Sequence, residues 1–108
     1  MNIIDNVLDF FRSVWEWVKR IFEHILNFFK NIVDWFRNPS RLRQLQEDKN
    51  RIAVSIKEKL GNGNYGVVNC LFNKATEEIE GEAIGIESEQ VDAETQKNFG
   101  NKEMIVLK

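Results

Sequence analysis

The chain has 108 residues, with 15 Lys and Arg against 17 Asp and Glu, a net charge of −2, one His and one Cys. That accommodates one compact domain, or a small domain with an extension, and excludes a large enzyme. A pI near 5.5, with the charges spread along the chain, gives no field to hold a nucleic-acid backbone. A composition of 43 % hydrophobic and 30 % charged residues is that of a folding chain. Cys70 has no partner for an internal disulfide, which fits a reducing cytosol. Asp5 and Asp9, with no basic n-region before an apolar core, speak against a secretory signal.

From Ile3 to Phe36 the apolar residues come singly or in pairs, from Ile3-Ile4 and Val7-Leu8 through to Ile32-Val33 and Trp35-Phe36. No apolar run is long enough for a transmembrane helix, which needs about 20 such residues in succession. At about 100° per residue they fall on one half of a helical wheel. Asp5, Asp9, Arg12, Glu16, Lys19, Arg20, Glu23, His24, Asn27, Lys30, Asn31, Asp34 and Arg37 fill the other half. The segment also repeats with a step of 18 residues, since Phe10-Phe11-Arg12-Ser13-Val14 returns as Phe28-Phe29-Lys30-Asn31-Ile32. Eighteen residues make about five helical turns, so the face does not drift as a heptad seam would. The pattern predicts one continuous amphipathic helix over residues 1–38, its apolar face too wide for a coiled coil.

That face is rich in aromatics and has neither alanine nor glycine, unlike helices that pack closely on one another. Trp and Phe are favoured at a headgroup boundary. The basic Arg12, Lys19, Arg20, Lys30 and Arg37 balance the acidic Asp5, Asp9, Glu16, Glu23 and Asp34, so adsorption would rest on apolar burial with little preference for anionic lipid. Over residues 3 to 37 the segment resembles the lipid-binding helices of exchangeable apolipoproteins, with acidic residues mid-face and basic ones toward an edge. It departs from them where the second edge carries Asn6, Ser13, His24 and Asn31. The resemblance implies a lipid partner. A rod of about 50 Å exposing such a stripe must be covered, whether by a membrane, by copies of itself, by a protein partner or by the rest of the chain. The residues expected at that interface are Phe10, Phe11, Val14, Trp15, Trp17, Val18, Phe22, Ile25, Phe28, Phe29, Ile32, Trp35 and Phe36.

Asn38-Pro39-Ser40 ends the pattern and starts a new cap, so residues 39–108 are expected to form a small α+β domain. The stripe Leu42, Leu45, Ile52, Ile56 and Leu60 suits a second helix from Arg41 to Leu60 with Gly61 as its C-terminal cap. The alternation Ile52-Ala53-Val54-Ser55-Ile56 equally suits a strand. Strands are predicted over Gly66 to Phe72, Ile79 to Ile86 and Met104 to Leu107, with a helical turn from Asp92 to Phe99. The fold class is therefore α+β: a long N-terminal amphipathic helix, a second helix and a small three-stranded antiparallel sheet.

Leu60 through Val68, with Asn73-Lys74-Ala75-Thr76, resembles the glycine-rich loop of protein kinases, which implies backbone amides approaching phosphates. The stretch Glu80 to Glu87 lacks the lysine that family carries on the next strand, and no His-Arg-Asp or Asp-Phe-Gly follows. A turn is the better reading of Gly61 to Gly66. His24 has no serine or cysteine nucleophile in helical reach. Cys70, alternating with Val68 and Phe72, reads as a buried apolar side chain. Glu77, Glu78, Glu80, Glu82, Glu87 and Glu89 lack the ligand order of a calcium loop and read as a solvated edge that resists strand pairing.

The expectation is a non-enzymatic cytoplasmic protein, peripheral on a membrane, docking through its N-terminal helix. No catalytic residue, cofactor, metal or nucleic acid is expected. The alternatives are a homo-oligomeric or partner-binding scaffold that buries the same face, and a small phosphate-ligand module at Gly61 to Gly66.

Overall fold

The structure, a computed structural model, describes residues 6–107, so Ile3, Ile4 and Asp5 of the expected helix lie outside the described residues. Helix α1 (Val7–Trp17) begins at Asn6, whose side chain accepts from the Asp9 amide, and ends where Val18 turns extended. Strand β1 (Arg20–Leu26) follows. A π-helix, Phe28–Val33, runs into the short α2 (Asp34–Phe36). Asn27 caps the π-helix by accepting from the Lys30 amide, and Asn31 accepts in return from the Asn27 amide, at 2.8 Å.

The continuous helix over 1–38 is thus corrected to helix, strand and helix. An unbroken rod of about 50 Å would exceed the longest dimension of the molecule, 36 Å, and could cover only one face of a sheet. Broken at Val18 and Asn27, the same apolar residues cover both. On a helical wheel Asn6 and Asn27 count merely as polar, whereas in the structure each satisfies an amide left free at a helix start.

Helix α3 (Pro39–Glu47) is capped by Asn38, and β2 (Arg51–Lys59), β3 (Tyr65–Asn73), β4 (Glu78–Val91), α4 (Ala93–Phe99) and β5 (Met104–Leu107) complete the chain. The helix expected from Arg41 to Leu60 stops at Glu47, and its second half is β2. There the alternation Ile52 to Ile56 wins, because both faces of this strand are buried. Gly61 lies in the β2–β3 hairpin turn, closed by the Leu60 amide donating to the Asn64 carbonyl at 2.7 Å.

The three-stranded antiparallel sheet is corrected to a five-stranded mixed one, ordered β1-β4-β3-β2-β5. β1 runs parallel to β4, with Ile21 opposite Ile86, and the other pairings are antiparallel. On one face Phe11, Val14 and Val18 pack over Val54, Ile56, Val68, Cys70 and Phe72. On the other, Leu26, Phe28, Ile32, Phe36 and Phe99 cover Ala53, Val67, Leu71 and Ile86.

Two glycines let α1 come close. A Cβ on Gly85 would stand 2.9 Å from Val18 and Arg20 and 3.0 Å from the Trp15 ring, and one on Gly66 would stand 3.0 Å from Phe11 and 3.1 Å from Trp15. Trp15 therefore lies across adjacent strands on a floor without side chains, stacked on Phe11 at 5.2 Å. Beneath the π-helix the buried Ser55 hydroxyl donates to Asn69 Oδ1, and Asn69 Nδ2 reaches the Asn31 carbonyl, so the polar centre of that face is satisfied.

Candidate functional site

The two cores absorb most of the side chains expected at an interface. Phe11, Val14, Val18, Phe28, Ile32 and Phe36 are buried, and Phe10, Trp15 and Trp35 are half-buried at the core margins. Trp17 remains 60 % exposed, and Phe22, Ile25 and Phe29 are each 53 % exposed. These four follow one stretch of the chain: Phe22 and Ile25 lie on β1, Trp17 precedes it, and Phe29 follows it. Ile21, outside the expected set, is 37 % exposed on the same strand. The β-branched Ile21 and Ile25 and the cap at Asn27 are the signals that could have marked a strand here.

β1 is an edge strand, with β4 on one side and, among the described residues, no strand on the other. The Gly85 amide donates to the Lys19 carbonyl at 2.8 Å. Successive residues of a strand direct their main-chain groups to opposite sides, so Arg20 and Phe22 present theirs outward. Such a row of open donors and acceptors is a template for another strand unless charge or a bulge blunts it.

Charge is present but sparse. Lys19 and Arg20 stand at the start of β1, and Arg20 lies over the Trp15 ring at 5.1 Å. Glu23, in mid-strand, accepts from Asn31 Nδ2 at 3.4 Å. His24 pairs with Glu89 of β4 at 3.0 Å and meets Phe22 edge to face. The edge thus runs from basic to acidic along its length.

The remaining candidates are engaged elsewhere or buried. The Ser88 hydroxyl donates to the carbonyls of Gln90 at 2.6 Å and His24 at 3.3 Å. Cys70 is buried, and burial pushes its thiol up to about 12, so no thiolate forms near neutrality. In the Gly61 to Gly66 turn the side-chain amides of Asn64 and Asn62 donate to Glu87 at 2.7 and 3.1 Å. Those bonds hold the Glu87 carboxyl below its usual range, so the turn faces a carboxylate, and a β-strand rather than a helix follows it.

No helix among the described residues is long and apolar enough to cross a membrane. No protein family, curated protein or solved structure gave a match to the chain.

Proposed function

We propose that the chain is a non-catalytic assembly protein whose β1 edge receives an extended strand of polypeptide. The observation that carries this is the edge strand β1, its ladder open at Arg20 and Phe22, along which Trp17, Ile21, Phe22, Ile25 and Phe29 are exposed. Exposed apolar side chains set beside an open ladder are a common feature of interaction surfaces. A hydrocarbon surface would cover the side chains and leave the outward main-chain groups of Arg20 and Phe22 unpaired, at a cost of several kcal/mol each. A strand satisfies both, as in other strand-addition interfaces. Contact with a neutral lipid surface is the second reading, favoured by Trp17 and Phe29, which sit at the ends of β1 rather than within its ladder.

The test is panning of displayed random peptides against the protein and against its Arg20→Pro variant. The Arg20 amide faces away from β4, so proline there removes an outward donor and leaves the internal ladder whole. Enriched peptides are expected to alternate apolar residues and to bind the variant at least about tenfold more weakly, the equivalent of one to two lost hydrogen bonds. Peptides that bind both proteins alike would remove the edge from the mechanism. No enrichment, together with flotation of the protein on phosphatidylcholine vesicles, would establish the lipid reading instead.

A further inference from the structure

We infer that the strand received at β1 is β1 of a second copy, paired antiparallel about a two-fold axis that passes beside Ile21. This rests on the strand-addition reading above and names its partner. A two-fold axis normal to the sheet keeps equivalent faces of the copies together and sets one residue of β1 opposite itself. Only three positions near the middle of the open stretch can lie on that axis, and charge separates them.

With Glu23 on the axis, two carboxylates meet directly across the strands, which destabilises a pair. With Phe22 on the axis, Lys19 faces Ile25, Ile21 faces Glu23 and Arg20 faces His24, so Lys19 and Glu23 are each set against an aliphatic side chain and Arg20 against an imidazole already paired with Glu89. With Ile21 on the axis, Lys19 of each copy faces Glu23 of the other, twice over, and Arg20 faces Phe22, a cation against a ring, also twice.

The main chain selects the same register. Arg20 and Phe22 are the residues whose N–H and C=O groups point outward, given that the Lys19 carbonyl is already taken by Gly85. With Ile21 at the centre these two are hydrogen-bonded to one another across the interface. Ile21 then forms the non-hydrogen-bonded pair, where side chains approach most closely. The five residues Lys19 to Glu23 are thus self-complementary in charge, in apolar contact and in hydrogen bonding.

The experiment is cysteine cross-linking of the full chain under mild oxidation, with Ile21→Cys, Phe22→Cys and Glu23→Cys as separate variants. A residue on the axis meets its own copy at a Cα separation of about 4.5 Å in a non-hydrogen-bonded pair, within the span of a disulfide. The buried Cys70 does not compete. Ile21→Cys is expected to give the covalent dimer in high yield, and the other two variants little. Light scattering of the unmodified protein should show a dimer that weakens as salt rises. Lys19→Glu should raise its Kd by about tenfold, and Lys19→Glu combined with Glu23→Lys should restore it. Preferential cross-linking at Phe22→Cys or Glu23→Cys overturns the register. A protein that stays monomeric and uncross-linked while still enriching peptides in an Arg20-dependent way overturns the second copy and leaves strand addition standing. Failure of both experiments removes both.

Discussion

Replacing Gly85 by alanine tests the arrangement on which the whole N-terminal third depends. The added Cβ would stand 2.9 Å from Cγ1 of Val18, 2.9 Å from Cγ of Arg20 and 3.0 Å from the Trp15 ring. Ordinary contact distances between carbon atoms are about 3.5–4.0 Å, so three groups must retreat at once, and two of them are held in the core beneath α1. Overpacking of this kind costs about 1–3 kcal/mol. Arg20 is flexible and can yield, while Val18 and Trp15 cannot move without lifting the end of α1, which places the expectation near 2 kcal/mol. For a domain of this size that is a fall in Tm of about 10 °C. The assay is equilibrium urea denaturation followed by tryptophan fluorescence, with Gly61→Ala as the control, because a Cβ there meets nothing within 4 Å and its backbone is not left-handed. The control should be neutral or slightly stabilising. Equal stability of the two variants would refute the seat of Trp15 on β4, and with it the break of the N-terminal segment at Val18.

Asn27→Ala should destabilise the protein by about 1 kcal/mol through loss of a cap. In an unbroken helix the same change would be stabilising, because alanine has the higher helical propensity, so the sign of the shift in a urea titration decides between the two. Burial, with Glu103 beside it, pushes the Glu58 carboxyl above its usual range, and one of its oxygens is buried without a hydrogen-bond partner. The folded protein therefore holds that proton more tightly than the unfolded chain. The stability it contributes is present in acid and is lost as pH rises through the raised value. Glu58→Gln should accordingly be more stable than the unsubstituted protein near pH 8, with the difference vanishing toward pH 4. A difference independent of pH would refute the assignment.

The elements with a strong local signal were legible in the sequence. The strand expected over Gly66 to Phe72 is β3, buried along nearly its whole length. Asp92 caps α4, where burial opposes its ionisation but hydrogen bonds from Thr95 and Phe28 outweigh that and hold it below its usual range. Residues 1–38 misled because their periodicity was real but served two short helices on opposite sides of one sheet. A step of 18 residues maps Val14 onto Ile32 in a wheel, whereas the structure places them in different cores. The seven residues of β1 keep the helical phase by coincidence, and a parallel edge strand carries no alternation strong enough to contradict it. No local feature could have announced β4 as the partner of β1, since that pairing spans most of the chain. The same distance hid the candidate site: the sequence places Phe22, Ile25 and Phe29 at an interface, but the open ladder beside them exists only once the sheet is assembled.

The pairing of β1 with β4 also sets a timetable. Hairpin β2–β3 can close once β3 has left the ribosome, while Ile21 cannot find Ile86 until β4 has followed. Contacts so distant along a chain form late and slow the search for the native state. During translation Phe11, Trp15 and Phe28 therefore emerge before any strand that later covers them, and they stay uncovered at least until β2 and β3 have paired. Apolar surface exposed at that stage is where aggregation competes with folding.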